Sequence, residues 1–133
     1  MERFEGRVAV VTGAGSGIGR ALARRAAGEG MRVVIADVEV NALDEAAAEV
    51  ESAGAEVVVA PTDVSRPEQV DALAGLAYER FGAVHLLCNN AGVFQGGITW
   101  QRELAAWEWV MGVNFWGVLH GMRAFIPRML ESG

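Results

Sequence analysis

The residues from Val8 to Gly19, VAVVTGAGSGIG, decide the predicted fold. The apolar run 8–11 is typical of a β-strand buried on both faces, and Thr12-Gly13 begins a glycine-rich turn. Residues 17–30 are rich in alanine, with apolar residues at helical spacing, and Gly30 is expected to end that helix. A buried strand, a glycine-rich turn and a helix together indicate the start of a βαβ unit.

The same alternation continues along the chain. Further strands are predicted at 32–37, 56–60 and 84–89, and further helices at 41–53 and 67–81, the last with Ser65 as its N-cap. Right-handed crossovers between parallel strands place the four strands in the order 3-2-1-4. The sequence therefore predicts an α/β fold, a Rossmann-type doubly wound parallel sheet, with residues 1–133 forming one domain.

The last segment, 104–130, is predicted to be one long apolar helix. Its apolar residues form one broad face, made up of Trp107, Met111, Phe115, Val118, Leu119, Met122, Phe125 and Ile126. Because such a face needs more cover than one sheet provides, we expect a further helix or a second subunit on it, and hence a homo-oligomer through residues 104–130. The three residues that follow cannot supply this cover, so the domain is predicted to be incomplete and to end before a fifth strand.

Charge and composition exclude several classes of partner. A net charge of -6 argues against a surface that binds nucleic acid or anionic lipid. The apolar run 8–11 is too short for a signal peptide or a membrane span, and Cys88 alone allows no internal disulfide, so we expect a cytoplasmic protein with no membrane partner. His85 and His120 have no Cys, Asp or Glu at ligand spacing, so no metal site is expected.

The glycine-rich turn is the first candidate binding site. Glycines let a pyrophosphate approach the backbone, and the helix N-terminus offers it free N–H groups and a partial positive charge. The candidate phosphate-binding residues are Gly13, Ser16, Gly17, Ile18 and Gly19. Their G-x-x-x-G-x-G spacing differs from the general G-x-G-x-x-G fingerprint, and a plain strand-to-helix loop is the alternative.

Acidic residues follow the second and third strands. A carboxylate at Asp37 can accept hydrogen bonds from both adenosine ribose hydroxyls and would repel a 2′-phosphate, which favours NAD over NADP. Asp63 and Val64 are predicted to flank the adenine with one polar and one apolar contact. The alternatives are an aspartate that merely ends a strand at Asp37, and a turn or cap role for Asp63.

Asn90, Ala91 and Gly92 follow the fourth strand, at the point where the strand order reverses and where ligands of open α/β sheets bind. Together with the glycine-rich turn, Asp37, Asp63-Val64 and Asn114, this segment resembles the short-chain dehydrogenase/reductase family. The resemblance covers the whole chain and identifies it as the N-terminal, cofactor-binding portion of such a protein. It implies a nicotinamide cofactor, for which Asp37 favours NAD, and hydride transfer to or from a small alcohol or carbonyl substrate.

The same resemblance implies a catalytic set of Asn, Ser, Tyr and Lys. Asn114 matches the family's asparagine, which helps to hold a water for proton relay; a helix asparagine that bonds locally is the alternative. The Ser and the Tyr-x-x-x-Lys pair belong to a fifth strand and the helix after it, and this chain has no Lys and only Tyr78, in its third predicted helix.

A phenol with a pKa near 10 is a poor acid or base at neutral pH unless a nearby cation lowers that pKa. We therefore expect the chain to carry the cofactor site and to be inactive alone. The alternative is a non-catalytic nucleotide-binding or dimerisation module.

Overall fold

The computed structural model describes residues 3–132. Four parallel strands form one sheet: β1 (Val8–Thr12), β2 (Arg32–Asp37), β3 (Val57–Pro61) and β4 (Leu86–Cys88). The sheet order is β3-β2-β1-β4, which confirms the predicted doubly wound topology. Val10 pairs with Val34 on one side and with Leu87 on the other, so β1 lies at the centre of the predicted strand-order reversal.

Helices cover both faces of the sheet. They are α1 (Gly17–Gly28), α2 (Val40–Ser52), α3 (Pro67–Phe81), α4 (Leu104–Met111) and α5 (Gly117–Glu131), with a 3-10 turn at Thr99–Gln101 and a π-helical turn at Gly112–Trp116. Alternate strand residues enter two buried clusters, one with α1 and α2 and the other with α3 and α5. The central strands β1 and β2 are apolar between their ends because both of their faces are buried.

Two local predictions are wrong. β4 has three residues, 86–88, instead of the predicted six, because it pairs with β1 alone and His85 precedes the ladder, with its ring accepting the Val8 N–H at 2.9 Å. The N-cap of α3 is Arg66, without a side-chain cap, instead of Ser65. The Ser65 hydroxyl instead donates to Asp63 Oδ1 at 2.7 Å, so it is engaged within the loop before the helix and does not cap it.

The segment 104–130 also differs from the prediction. The π-helical turn interrupts the expected single helix, with the Gly117 N–H donating to the Gly112 carbonyl. A narrow stripe of Gly117, Gly121 and Phe125 is buried, while most of the predicted broad face is exposed. The small residues let the helix backbone approach closely: a Cβ at Gly117 would lie 2.6 Å from Val64 Cγ2. Phe125 is the one bulky side chain of this buried stripe, and most other bulky apolar side chains of the described segment stay exposed.

Within residues 3–132, no helix is long and apolar enough to cross a membrane.

Candidate functional site

The carboxyl ends of the strands open into a cleft of about 660 Å³. This volume and this place in the fold are typical of a small-molecule site in an open α/β sheet. Every predicted cofactor-binding residue except Gly19 lines the cleft: Gly13, Ser16, Gly17, Ile18, Asp37, Asp63, Val64, Asn90, Ala91 and Gly92. The topology thus brings together residues from four separate strand ends.

The glycine-rich turn is shaped so that its backbone faces the cleft. Gly13 and Gly17 have φ angles of +64° and +54°, a region that favours glycine. No atom lies within 4 Å of where a Cβ of Gly17 would be, so its backbone is open to a ligand. Gly19 is buried outside the cleft, where a Cβ would collide with the Gly13 carbonyl oxygen, so its role is to let α1 pack on the turn.

The first turn of α1 is free to receive an anion. Its N-cap, Ser16, makes no side-chain capping hydrogen bond, and no acidic residue lies in the first turn. The first N–H groups of a helix have no intrahelical partners, and they carry the positive end of the helix dipole. A phosphate group fits this position in charge and in hydrogen bonding.

A clasp of hydrogen bonds joins this turn to the residues after β4. The Thr12 hydroxyl oxygen accepts the Asn90 N–H at 3.1 Å and the Ala91 N–H at 3.0 Å. The Asn90 side-chain amide donates to the carbonyl oxygens of Thr12 and Gly13, at 3.1 and 3.3 Å. Asn90 therefore holds the turn in place, besides lining the cleft.

Asp37 has a fixed orientation at one edge of the cleft. Its Oδ2 accepts the Gly15 N–H at 2.9 Å, and its Oδ1 accepts the Glu39 N–H at 3.0 Å. Each carboxylate oxygen keeps further acceptor capacity for hydroxyl groups of a ligand. A Cβ at Gly15 would lie 2.9 Å from Oδ2, so a side chain there would displace the carboxylate.

The cleft has acidic residues and no basic ones among its described lining residues. Its carboxylates are Asp37, Glu39 and Asp63. Arg66 is a nearby cation, with its Nε 3.7 Å from Asp63 Oδ2, but its own side chain is largely exposed. A ligand with additional negative charge beside Asp37 and Glu39 would meet repulsion without a compensating cation.

Asp63 and Val64 follow β3, the strand next to the one that Asp37 ends. The turn role expected as the alternative for Asp63 is present, and both residues line the cleft. Asp63 Oδ1 accepts the Ser65 N–H at 3.0 Å, and the Asp63 N–H donates to Gln69 Oε1 at 2.7 Å. Val64 is buried, and its carbonyl oxygen lies 2.9 Å from His120 Nδ1, which donates to it. This loop is therefore rigidly tied to α3 and α5.

Asn114 lies in the π-helical turn and does not line the cleft. Its Oδ1 accepts the Val93 N–H at 2.7 Å, and its Nδ2 donates to the Val93 carbonyl oxygen at 2.8 Å. The side chain thus pairs with both the N–H and the C=O of one residue, as a neighbouring strand would. Asn114 fixes the loop after β4 against the π-helical turn.

Sequence reasoning missed several residues of the cleft. Val38, Glu39, Thr62, Ser65 and Val93 adjoin predicted residues, and Trp109 and Val113 come from the helical segment. Trp109 and Val113 are four residues apart, a spacing that puts two helix side chains on one face. Their spacing could have indicated that the two side chains share one face. It did not stand out, because most neighbouring residues of the segment are apolar as well.

The remaining titratable groups lie outside the cleft. Burial raises the pKa of Tyr78, whose hydroxyl has no partner among the described residues and whose ring lies 4.2 Å below the Arg128 guanidinium. Burial also raises the pKa of the Cys88 thiol, which favours its protonated form. Burial, with smaller contributions from Arg7 and Arg32, lowers the pKa of His85. None of these shifts favours acid–base or nucleophilic chemistry at neutral pH.

No cluster of three or more His, Cys, Asp and Glu side chains suited to a metal ion occurs in the part of the chain that the structure describes.

Known proteins of one family are similar to this chain over nearly its whole length. The sequence profile of the short chain dehydrogenase family matches residues 7–133. The chain is 45% identical over 129 residues to 1-deoxy-11-beta-hydroxypentalenate dehydrogenase of Streptomyces exfoliatus, a match that covers 96% of this chain and 47% of that protein. The chain spans about half the length of the curated relatives it matches.

Two solved structures show the same fold with a bound dinucleotide. A short chain dehydrogenase/reductase from Burkholderia phymatum in complex with NAD is 53% identical, with a TM-score of 0.97 over 99% of this chain and 47% of that one. A metagenomic short-chain oxidoreductase in complex with NADP is 36% identical, with a TM-score of 0.91 over 96% of this chain and 58% of that one. Similar structures therefore hold both dinucleotides.

Proposed function

Since the chain belongs to the short chain dehydrogenase family, we propose that its cleft binds NAD and that it serves an oxidoreductase acting on a small alcohol or carbonyl substrate. One observation carries the cofactor proposal. The Asp37 carboxylate is held by two backbone N–H groups, one of them from Gly15 in the glycine-rich turn, and this turn leads into the N-terminus of α1. A carboxylate next to a phosphate site in one cleft matches the ribose hydroxyls and the phosphates of an adenosine diphosphate group.

Each part of the dinucleotide has a matching set of residues. The pyrophosphate would lie on the turn formed by Gly13, Ser16, Gly17 and Ile18, with Gly19 supporting the turn from below. The adenosine ribose hydroxyls would donate to Asp37, and the adenine would lie between Asp63 and Val64. The nicotinamide half would pass Asn90, Ala91 and Gly92 after β4.

NAD is favoured over NADP on electrostatic grounds. The extra phosphate of NADP would be placed beside Asp37 and Glu39, and the described lining residues include no basic side chain to neutralise it. Two like charges in a partly enclosed site repel each other more strongly than in water. The acidic edge therefore supports selection of the cofactor that lacks this phosphate.

When bound, NAD supplies the hydride acceptor and its reduced form the hydride donor. We propose that Asn114 takes part in catalysis by holding the loop at Val93 and the π-helical turn in register, since its side-chain amide is engaged on both sides. Residues 1–133 contain no Lys, and Tyr78 is only partly buried, beneath Arg128 and outside the cleft. We therefore propose that this stretch alone binds the cofactor and transfers hydride negligibly.

The remaining proposals concern self-association and the location of the protein in the cell. The exposed apolar side chains of 104–130 support association with a second copy. The alternative function is a non-catalytic nucleotide-binding or dimerisation module. Measurable alcohol-dependent NADH formation by the purified protein would contradict both this alternative and the proposed inactivity. A single cysteine supports a reducing compartment, and we propose the cytoplasm.

Titration calorimetry with NAD and NADP tests the cofactor proposal. We expect NAD to bind more tightly than NADP, and Asp37→Ala to weaken NAD binding by about tenfold or more, since hydrogen bonds to a charged group contribute about 1.5–3 kcal/mol. NADP binding should weaken less. Asp44→Ala, at an exposed aspartate of α2, is the matched control and should leave both affinities unchanged.

Two results would count against the proposal. Equal losses for NAD and NADP in Asp37→Ala would remove the ribose assignment. No binding of NAD by the wild-type protein at millimolar concentration would remove the cofactor site itself.

A further inference from the structure

Trp109 is an exposed aromatic residue in the wall of the cleft. It lies in α4, one helical turn before Val113 of the π-helical turn, and both residues line the cleft. Val113 packs against the buried cluster that includes Val64, whereas 49% of the Trp109 side chain is exposed. The indole therefore adds an aromatic face to a cleft whose other described lining residues are aliphatic or polar.

Two glycines determine where Trp109 lies in the cleft. A Cβ at Gly112 would lie 3.4 Å from Ser65 Cβ, and one at Gly117 would lie 2.6 Å from Val64 Cγ2. The helical segment thus crosses the loop after β3 at Val64 and Ser65. Trp109 is one turn before Gly112, so it stands at the end of the cleft that holds Asp63 and Val64.

The two tryptophans of α4 are not equivalent. Trp107 is similarly exposed, at 43%, but lines a separate cavity of about 100 Å³ together with Gln95 and Arg102. Residues two apart on a helix point in different directions, which explains the difference. Trp109 faces the cleft, so a general role in surface hydrophobicity does not account for its position.

We propose that the Trp109 indole stacks on the adenine of bound NAD and, with Val64 and Val113, forms the apolar surface that holds the base. This inference rests on the proposed function and adds a binding residue to it. Aromatic side chains stack on bases through their π-faces, and the described lining residues include no arginine that could do the same. The carboxylate at Asp37 would then orient the ribose while Trp109 contributes affinity for the base.

Calorimetry and tryptophan fluorescence with NAD, ADP-ribose and AMP test the inference on the purified protein. We expect Trp109→Ala to weaken all three ligands by a similar factor of about 5 to 100, because stacking on one base contributes about 1–3 kcal/mol. Trp109→Phe should keep most of the affinity, since it keeps an aromatic face. AMP should quench the emission of the wild type and of Trp107→Phe, but not that of Trp109→Phe.

The possible failures are distinguishable. If the wild type binds NAD, and Trp109→Ala binds NAD and AMP as tightly as the wild type does, the stacking role is wrong and the proposed function stands. Quenching by AMP that persists in Trp109→Phe and disappears in Trp107→Phe would also overturn it. If the wild type binds neither NAD nor ADP-ribose, the proposed function fails and this inference fails with it.

Discussion

Replacing Thr12 by Val tests the clasp between the glycine-rich turn and the residues after β4. Thr12 is 4% exposed, and Val has nearly the same shape without the hydroxyl. The substitution removes the acceptor of the Asn90 and Ala91 N–H groups and the donor to the Cys88 carbonyl oxygen at 3.3 Å. Since each lost hydrogen bond costs about 0.5–1.5 kcal/mol, the two N–H groups alone predict a loss of about 1–3 kcal/mol.

Thr12→Ser is the matched control. It keeps the hydroxyl and loses one buried methyl group, which costs about 0.8 kcal/mol before any relaxation of the cavity. Urea unfolding followed by circular dichroism measures both variants, and equal m-values would show that the unfolded states are comparable. We expect Thr12→Val to be the less stable of the two and to bind NAD more weakly, because the cleft residues Asn90 and Ala91 lose their anchor.

A Thr12→Val protein as stable as Thr12→Ser would refute this reasoning. That result would mean that the hydroxyl contributes no more than one methyl group and that other contacts hold the turn.

Three further predictions follow from packing and charge. The free energy of unfolding should fall as the pH drops below about 6.5, by at most about 1.4 kcal/mol per pH unit for one proton. The reason is that the lowered pKa of His85 makes the folded state bind that proton less readily than the unfolded chain does. His85→Asn should flatten this slope between pH 7 and pH 5.5 in urea titrations, and an unchanged slope would exclude His85 as its source. Gly117→Ala should destabilise the protein by about 1–3 kcal/mol, since its Cβ would lie 2.6 Å from Val64 Cγ2. Gly75→Ala, at an open position of α3, should stabilise the protein by about 0.5–1 kcal/mol, and a penalty there as large as at Gly117 would contradict the packing argument. Light scattering should show association at micromolar concentration through 104–130, which a stable monomer would contradict.

The sheet and the phosphate end of the cleft were predictable because their physical signals are local. A strand buried on both faces must be a short apolar run, as at 8–11, and a backbone at positive φ favours glycine, as at Gly13 and Gly17. The order of the strands then follows from the handedness of the crossovers. Because the four strands are parallel, the residues after each of them reach the same cleft.

The region from Leu104 to Glu131 was harder to predict because its apolar residues occur on nearly every side. Apolar spacing does not distinguish a hydrogen bond to the fourth preceding residue from one to the fifth, so the π-helical turn at 112–116 left no mark in the pattern. The helix packs through Gly117 and Gly121, which carry no apolar side chain and so no hydrophobic signal. The apolar pattern therefore does not reveal that Trp109 faces the cleft.

The π-helical turn has a consequence for how this fold tolerates insertions and deletions. An α-helix completes a turn in about 3.6 residues, whereas hydrogen bonds to the fifth preceding residue give a turn with about one residue more. Removing one residue from 112–116 would therefore let the turn close as ordinary α-helix, with α4 and α5 presenting nearly the same faces to the fold. The contacts of Gly117 and Phe125 would survive, and Trp109 would stay beside the cleft. The turn thus holds one spare residue of length, and a single-codon deletion there would disturb the cleft less than the same deletion within α4 or α5, where no wider turn can absorb it.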